Sequence, residues 1–424
     1  MASTGKIAEV LFENALETYE EQNQLVKKTD VFTPDSGDMQ NANNVIWRPV
    51  EQHAPILDGF DLTGKEQEII EETYPAILGN PKNDFVQQRI DQMRDTRFWE
   101  RRGKASGRQQ ATELNKSIAN LVKNGGSLHY RSDVTSGFDF ISEGQAILNE
   151  RQGKQTERCF ILNDRDTKRY AQDLASRETL KGRPADTWAT GQIGSNVAEF
   201  DIYTGSYLPN ITGGAAQTAT TAAASFKPEG GAVDALTHAV TNVDYRVATL
   251  AVADSSVFNI GDKVTINNSG VSIKSIGVSD KNATSQPMTF TVAAKPSGTS
   301  LTIWPKPIAL DDTPALDETE LAYANVDTTI TSGALVVRTN IDANVKVNLF
   351  YDRDSIEVVG GEVPMSLLQQ YDGMKVISET LSNGLNMYMI YDANMVTMNL
   401  RYRLFTWYGL TMKDPSRAGI ATTF

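Results

Sequence analysis

Apolar and polar positions along the chain repeat with two different periods, which predicts a mixed α+β protein. Over residues 4–28 apolar side chains recur at helical spacing and form one face. This amphipathic helix either packs on its own domain or forms an arm that docks on another chain. Residues 84–124 predict the longest helix, with an interruption or kink near Gly103 and Gly107, because each glycine inside a helix costs about 1 kcal/mol.

Strand signals dominate the second half. ERCFILND (157–164) predicts a buried strand that is followed by a helix. VNLFYDRDSIEVV (347–359) predicts one long strand. TMNLRYRLFTWYG (397–409) predicts another, with Met398, Leu400, Tyr402 and Leu404 on one face.

A separate β-module is predicted between these segments. Residues 245–307 contain about five short strands separated by turn signals such as NNSG (267–270), a pattern typical of a small antiparallel barrel or sandwich. The preceding stretch, TGGAAQTATTAAAS (212–225), has no large apolar side chain, and we expect it to be a linker. The chain thus predicts a β-module inserted into a larger α+β protein.

Composition restricts the class of protein. The 424 residues carry 40 Lys and Arg against 53 Asp and Glu, a net charge of −13, which disfavours tight wrapping of DNA or binding to an anionic membrane. The single cysteine, Cys159, excludes an internal disulfide and a Cys-rich zinc site. The first residues lack a secretory signal, and no run of 18 apolar residues occurs, so we expect a cytoplasmic protein without a membrane span.

Charge is distributed unevenly. The window 81–130 has 10 basic and 5 acidic residues, a net of +5, and includes Arg101, Arg102 and Arg108. The window 225–330 has 7 basic and 12 acidic residues, a net of −5. The basic window is either a solvated helix face or a contact surface for an acidic partner.

Candidate catalytic chemistry is sparse. His53, His129 and His238 lack a second His or Cys at metal-ligand spacing, and Cys159 lies in an apolar strand typical of a structural thiol. No nucleophile elbow, HExxH, P-loop or GxGxxG occurs. In NDRD (163–166), Asp164 and Asp166 indicate a helix cap. We therefore predict no enzyme activity, no catalytic residue, no cofactor and no metal.

Short motifs extend over nearly the whole chain, beginning with IWRPVEQ (46–52) and GFDLT (59–63). The others are NDF (83–85), RD (94–95), RR (101–102), GSL (126–128), SFKP (225–228), GDK (261–263), PKPIALDD (305–312), AYANV (322–326), NLFYDRDSIEVV (348–359) and WYG (407–409). In order and spacing this series resembles the major coat (capsid) protein of the P-twenty-two-like lambdoid short-tailed phages.

The resemblance implies an HK-ninety-seven-like (Johnson) capsid fold with an inserted β-barrel domain. It implies this layout: an N-arm helix and connection at 1–39, an E-loop region at 40–80, a peripheral domain with a spine helix at 81–126, a first part of the axial domain ending in a linker at 127–224, the inserted β-barrel domain at 225–330, and the remainder of the axial and peripheral domains at 331–424.

The resemblance also implies a function. A scaffolding protein would direct hexamers and pentamers of the chain into an icosahedral procapsid of triangulation number seven. Double-stranded DNA packaged through a portal protein would then trigger expansion, without sequence-specific DNA binding. The chain would be assembled in the bacterial cytoplasm and remain in the virion capsid. Two alternatives stay open: a surface-binding protein that uses its β-module, and a hydrolase with an unrecognised site.

One departure concerns the inserted domain, where the family carries a polar loop that reaches a neighbouring capsomer. The matching stretch, residues 230–246, keeps Asp234 and Asp244 but is otherwise less polar. The hypothesis is that these two aspartates pair with Arg101, Arg102 or Arg108 of a neighbouring subunit.

Overall fold

The structure is a computed structural model, and its backbone divides into two compact units. It describes residues 4–23, 25–63, 69–89, 96–132, 137–151, 156–176, 192–230, 232–233, 240–241, 243–312, 316–341, 345–363, 375–394, 396 and 398–423. The first unit comprises Met1–Ile46, Pro75–Ile118 and Ile356–Thr411. The second comprises Trp47–Tyr74, Ala119–Ser355 and Met412–Phe424.

Helices and strands both occur in quantity, which confirms the predicted α+β class. The helices are α1 Thr4–Gln22, α2 Ser36–Asn41, α3 Thr96–Gly125, α4 Gly137–Glu150, α5 Asp164–Ser176 and α6 Glu318–Leu321, with 3-10 turns at Val26–Lys28, Arg353–Ser355 and Pro415–Arg417. The strands are β1 Asp30–Phe32, β2 Val45–Pro49, β3 Thr73–Ile77, β4 Lys82–Arg89, β5 Leu128–Ser132, β6 Arg158–Leu162, β7 Gln192–Val197, β8 Phe200–Thr204, β9 Asn210–Ile211, β10 Gln217–Ala219, β11 Ala232–Val233, β12 Val240–Thr241, β13 Ala248–Ala251, β14 Lys263–Asn268, β15 Val271–Ser272, β16 Lys274–Ile276, β17 Ala283–Pro287, β18 Thr289–Ser297, β19 Ser300–Trp304, β20 Leu335–Arg338, β21 Val345–Lys346, β22 Asn348–Asp352, β23 Ile356–Gly360, β24 Lys375–Thr380, β25 Asn386–Asn394, β26 Asn399–Thr406, β27 Tyr408–Met412 and β28 Ala418–Thr423.

In the first unit, α1 packs on α3 through two glycines. A Cβ on Gly103 would lie 2.5 Å from the carbonyl oxygen of Leu11, and one on Gly107 would overlap the carbonyl oxygen of Ala15. Only residues without a side chain allow the two backbones to approach this closely. The predicted interruption of α3 is therefore wrong: the helix is continuous, and its glycines serve contact with α1. The predicted start at residue 84 is also wrong, because residues 84–89 belong to strand β4.

The same contact shows where the apolar face of the N-terminal helix α1 packs. Ala8, Leu11, Phe12, Ala15 and Tyr19 are buried, as the predicted apolar face requires. The helix ends at Gln22 rather than at residue 28, and the side-chain amide of Asn115 in α3 donates to the Gln22 carbonyl oxygen at 3.1 Å. Of the two alternatives, the structure shows α1 packed on its own unit.

The main sheet of the first unit is antiparallel, in the order β24–β25–β26–β4. Leu400, Tyr402 and Leu404 of β26 are buried, as the predicted apolar face requires. Met398 is exposed and precedes the strand in a left-handed conformation (φ 52°), so its place on that face was predicted wrongly. A smaller sheet in the same unit has the order β1–β23–β27.

The predicted strand 347–359 is in fact two strands. The 3-10 turn Arg353–Ser355 separates β22, which belongs to the second unit, from β23, which belongs to the first. Both strands are buried throughout, although Asn348, Asp352 and Glu357 are polar, and the polar residues Arg353–Ser355 mark the break between them.

In the second unit, a mixed six-stranded sheet has the order β5–β28–β22–β6–β8–β7. Its core contains an aromatic cluster. Phe160 and Phe350 stack with centroids 6.0 Å apart, and Phe140 and Phe200 contact Phe160 edge-on. Such pairs contribute about 0.5–1.5 kcal/mol each beyond the burial of their area.

The β-module of the second unit is a closed barrel built from a seven-stranded sheet. Its main path is β10–β20–β14–β18–β19–β13, and a bridge between Thr220 and Val252 joins the end of this path to its beginning. The predicted short strands of 245–307 are confirmed. The linker predicted at 212–225 is wrong, because β10 lies within it and pairs with β20. The barrel strands therefore extend from Gln217 to Arg338, beyond the predicted bounds 225–330 on both sides.

Replacement of Gly107 by alanine tests the contact between α1 and α3. Alanine favours helix by about 1 kcal/mol over glycine. We nevertheless expect Gly107→Ala to lower the free energy of unfolding by about 1–3 kcal/mol, because the new Cβ overlaps the backbone of α1. Urea denaturation followed by circular dichroism measures the change.

Gly37→Ala is the matched control in the same unit, since a Cβ there meets no atom within 4 Å. We expect this control to be as stable as the wild type or slightly more stable. A Gly107→Ala protein of wild-type stability would contradict the packing described here.

Candidate assembly surfaces

One face of α3 is an exposed cationic stripe. Arg97, Arg101, Lys104 and Arg108 follow each other at spacings of four, three and four residues, which places them on one side of the helix, and all four are exposed. Two of them, Arg101 and Arg108, were predicted as contact residues. Arg97 and Lys104 were missed, although helical periodicity applied to the charged positions would have found them.

Arg102 lies on a different face of α3 and is engaged inside the first unit. Its Nη2 donates to both oxygens of Asp84 at 2.6 and 2.7 Å, and its Nε donates to the Tyr402 hydroxyl at 2.9 Å. A pairing of Arg102 with another subunit would therefore have to compete with a bidentate ion pair.

Of the two predicted aspartates, Asp244 is described by the structure and Asp234 is not. Asp244 accepts two hydrogen bonds from the guanidinium of Arg246, at 2.9 and 2.8 Å. The same guanidinium donates to the carbonyl oxygens of Met412 and Lys413 at 3.2 and 2.6 Å. Asp234 and His238 lie outside the described residues. The pairing with a neighbouring subunit stays a prediction.

The segment between β2 and β3 exposes apolar side chains. Ile56 is 96% exposed, and Phe60, Leu62 and Ile69 are also exposed, along a stretch without helix or strand in its described residues 50–63 and 69–72. Phe60 and Leu62 flank Asp61, whose carboxylate accepts from the backbone N–H and hydroxyl of Thr63 at 3.0 and 2.6 Å. These hydrogen bonds favour the ionised carboxylate and lower the pKa of Asp61. Four exposed apolar side chains in one segment make it a candidate surface for binding another chain.

A buried lysine joins the barrel to the carboxyl end of α3. The ammonium of Lys263 in β14 donates to the carbonyl oxygens of Lys123 (2.7 Å) and Gly126, and to the Thr291 hydroxyl at 3.0 Å. A positive charge at this end of a helix complements the helix dipole and the carbonyl groups that lack helical partners. No local sequence pattern singles out Lys263, because its partner carbonyls are more than 130 positions away in the chain.

The candidate chemical residues turn out to be structural where the structure describes them. Cys159 is buried, His129 Nε2 lies 3.1 Å from the Thr422 hydroxyl, and His53 packs edge-on against Tyr323 with ring centroids 5.1 Å apart. The helix cap predicted in NDRD (163–166) is confirmed, with Asn163 as the capping residue: its side-chain oxygen accepts from the N–H groups of Arg165 and Asp166. Asp164 and Asp166 lie in the first turn of α5. Among the described residues, no group of three or more His, Cys, Asp or Glu is placed to hold a metal, and no helix is long and apolar enough to cross a membrane.

The exposed apolar segment and the cationic helix face are candidate surfaces for contacts with other chains. A family model described as "P22 coat protein - gene protein 5" matches residues 1–423. The chain therefore belongs to the P22 coat protein family. This confirms the family resemblance and the prediction of a structural protein rather than an enzyme.

Solved structures similar to this chain include three shell proteins. The capsid of the cyanophage P-SCSP1u is 8% identical with a TM-score of 0.44, covering 94% of this chain and 86% of that one. The mature capsid of bacteriophage PhiM1 is 9% identical with a TM-score of 0.42, covering 93% and 85%. A virus-like particle from Pyrococcus furiosus is 8% identical with a TM-score of 0.39, covering 97% and 98%.

Replacement of Lys263 tests the link between the barrel and α3. We expect Lys263→Met to lower the free energy of unfolding by about 1–3 kcal/mol, because it leaves two buried carbonyl oxygens without their donor. Burial lowers the pKa of Lys263 to about 7 in the folded protein, against 10.5 for an ordinary lysine. Between these values the unfolded chain binds more protons, so this group makes the wild type more stable as the pH rises from 7.

The advantage of the wild type over Lys263→Met should therefore grow by about 1–2 kcal/mol between pH 7 and pH 9. Denaturant titrations at both pH values measure it. Lys295→Met is the control, because Lys295 is an exposed lysine of the same barrel. An unchanged difference between pH 7 and pH 9 would show that Lys263 keeps its proton in the folded state.

Proposed function

We propose that the chain is the major capsid protein of a tailed double-stranded DNA phage. With a scaffolding protein it assembles as hexamers and pentamers into an icosahedral procapsid of triangulation number seven, in the bacterial cytoplasm. DNA packaging through a portal protein then expands the shell that becomes the virion capsid. The subunit has the HK-ninety-seven-like fold, in which the barrel is the inserted domain. The match of the coat-protein family to residues 1–423 carries this proposal.

The surface supports a role in assembly. Burying one exposed Phe or Ile contributes about 1.5–3 kcal/mol, and the segment between β2 and β3 offers Ile56, Phe60 and Ile69 together. Each subunit of a shell repeats such a contact, so a modest gain per copy suffices for association. The net charge of −13 suits a container that encloses DNA without holding it.

The surface-binding alternative depends on exposed aromatic side chains on the barrel. The aromatic residues of 245–307 are Tyr245, Phe258, Phe290 and Trp304, and all four are buried or half-buried. These rings serve the barrel's packing, so the barrel surface favours the shell function over recognition of a carbohydrate or host surface.

Co-expression with the scaffolding protein of the same genome tests the shell function. We expect closed particles of uniform size in electron micrographs and one fast boundary in sedimentation. Phe60→Ser should lower the yield of particles while leaving the unfolding free energy unchanged, because Phe60 is fully exposed in the single chain.

Val271→Ser is the matched control, since Val271 is an exposed apolar residue of the barrel. Monomers or small oligomers alone, with folded wild-type protein and scaffold both present, would refute the shell function. Normal particle yield from Phe60→Ser would instead refute the role of the apolar segment.

The aspartate hypothesis is tested by removing both carboxylates. We propose that Asp234 and Asp244 contact Arg101, Arg102 or Arg108 of a neighbouring subunit; Asp244 and Arg102 would have to share or exchange their partners Arg246 and Asp84. An exposed ion pair contributes about 0–1 kcal/mol, repeated at each contact of the shell. The double variant Asp234→Ala, Asp244→Ala should therefore give shells that dissociate at a lower denaturant concentration than wild-type shells, and this difference should shrink at high salt, which screens the pair.

The control is Asp254→Ala, an exposed carboxylate of the barrel. Double-variant shells with the wild-type yield, expansion and stability would rule out the pairing.

A further inference from the structure

The second unit contains a partly open cavity, with charged and apolar side chains in its wall, that the shell function does not explain. Its volume is about 350 Å³, and its lining includes Arg151, Arg158, Trp304 and Asp352. Pockets for small molecules begin at about 300 Å³. Seven Arg and Lys side chains line this cavity against four Asp and Glu, so its wall is rich in positive charge.

Arg151 is the least satisfied of these cations. Its side chain ends in a guanidinium with five N–H donors, yet the residue is only 8% exposed. Among the described residues, its guanidinium forms one long hydrogen bond, from Nη2 to the Thr289 hydroxyl at 3.4 Å. Its Nε has no hydrogen-bond partner among them. Burying an unpaired guanidinium is costly unless a counter-charge or further acceptors reach it.

The neighbouring carboxylates do not fill this role. Asp414, which lies near enough to raise the pKa of Arg151 against the opposing effect of burial, accepts its hydrogen bonds from the N–H and hydroxyl of Ser416. Oε1 of Glu150 accepts from the Ser285 hydroxyl at 2.9 Å, and its Oε2 is buried without a hydrogen bond to Arg151. Neither forms an ion pair with Arg151.

Other donors of the wall are also unused. Nε1 of Trp304 and Nε of Arg158 are buried without a partner among the described residues, whereas the unpartnered acceptor of the lining is Oδ1 of Asp352. Asp352 is already neutralised by Arg417 at 2.9 Å. Unused donors therefore outnumber unused acceptors by three to one, which is the chemistry of an anion site.

We propose that this cavity binds a small tetrahedral oxyanion of the phosphate class, with Arg151 as its principal ligand and Trp304 as a second donor. Arginine presents parallel N–H groups that match two oxygens of such an ion. The proposed site does not depend on the shell function, since all of its lining residues lie in the second unit of a single chain.

Isothermal titration calorimetry of the unassembled full-length chain with inorganic phosphate tests the proposal, at constant pH and with sodium chloride added to equalise ionic strength. We expect saturable binding to the wild type, at one ion per chain. Arg151→Gln should weaken binding by about tenfold or more, because it removes the charge and the paired donors. Arg151→Lys keeps the charge but not the fork and should bind with intermediate affinity.

Trp304→Phe provides a second test, should Arg151→Gln fail to fold, because it removes one N–H donor and keeps an aromatic ring. We expect it to weaken phosphate binding several-fold. Arg108→Gln is the control, since Arg108 is exposed on α3 outside the cavity, and its phosphate affinity should equal that of the wild type. Absence of saturable binding to the wild type, or wild-type affinity in folded Arg151 and Trp304 variants, would overturn the proposal.

Discussion

The architecture depends on the continuity of α3. In the first unit, Gly103 and Gly107 allow the backbone of α1 to lie directly against this helix. In the second unit, the carboxyl end of the same helix is held by the ammonium of Lys263. Each contact uses main-chain atoms of α3, so each requires a regular backbone in its own part of the helix.

Sequence periodicity predicted the elements that bury one face locally. The short strands of 245–307 and the apolar face of α1 followed from spacing, because burial in these elements obeys the local period. The break at Gly103 and Gly107 was predicted wrongly, since the reason for both glycines is the backbone of α1, roughly 90 residues away in the chain. The strand β10 was missed because Thr218 and its small neighbours fill a closing position in the barrel, where large side chains are not needed.

The candidate contact surfaces could be predicted only in part, because sequence gives charge density but not which side chains face solvent. Charge density located α3, but only helical geometry separates Arg101 and Arg108, which face solvent, from Arg102, which faces Asp84. Asp244 finds its partner two residues away in Arg246, a contact that the sequence permits but does not require. The exposed apolar residues Ile56 and Phe60 have no periodic signal, since they lie in a segment without a regular element.

The apolar segment and the charged surfaces would contribute differently to the free energy of association between subunits. An exposed ion pair is worth about 0–1 kcal/mol and is weakened by salt, whereas each buried Phe or Ile contributes about 1.5–3 kcal/mol. On these magnitudes, a contact that buries the apolar segment around Phe60 would contribute more affinity than an exposed ion pair. Charges such as Arg101 and Arg108 would act mainly on which surfaces meet, because misplaced like charges cost energy that correct pairing avoids. With a net charge of −13 on each chain this selection would matter, since like net charges repel each other.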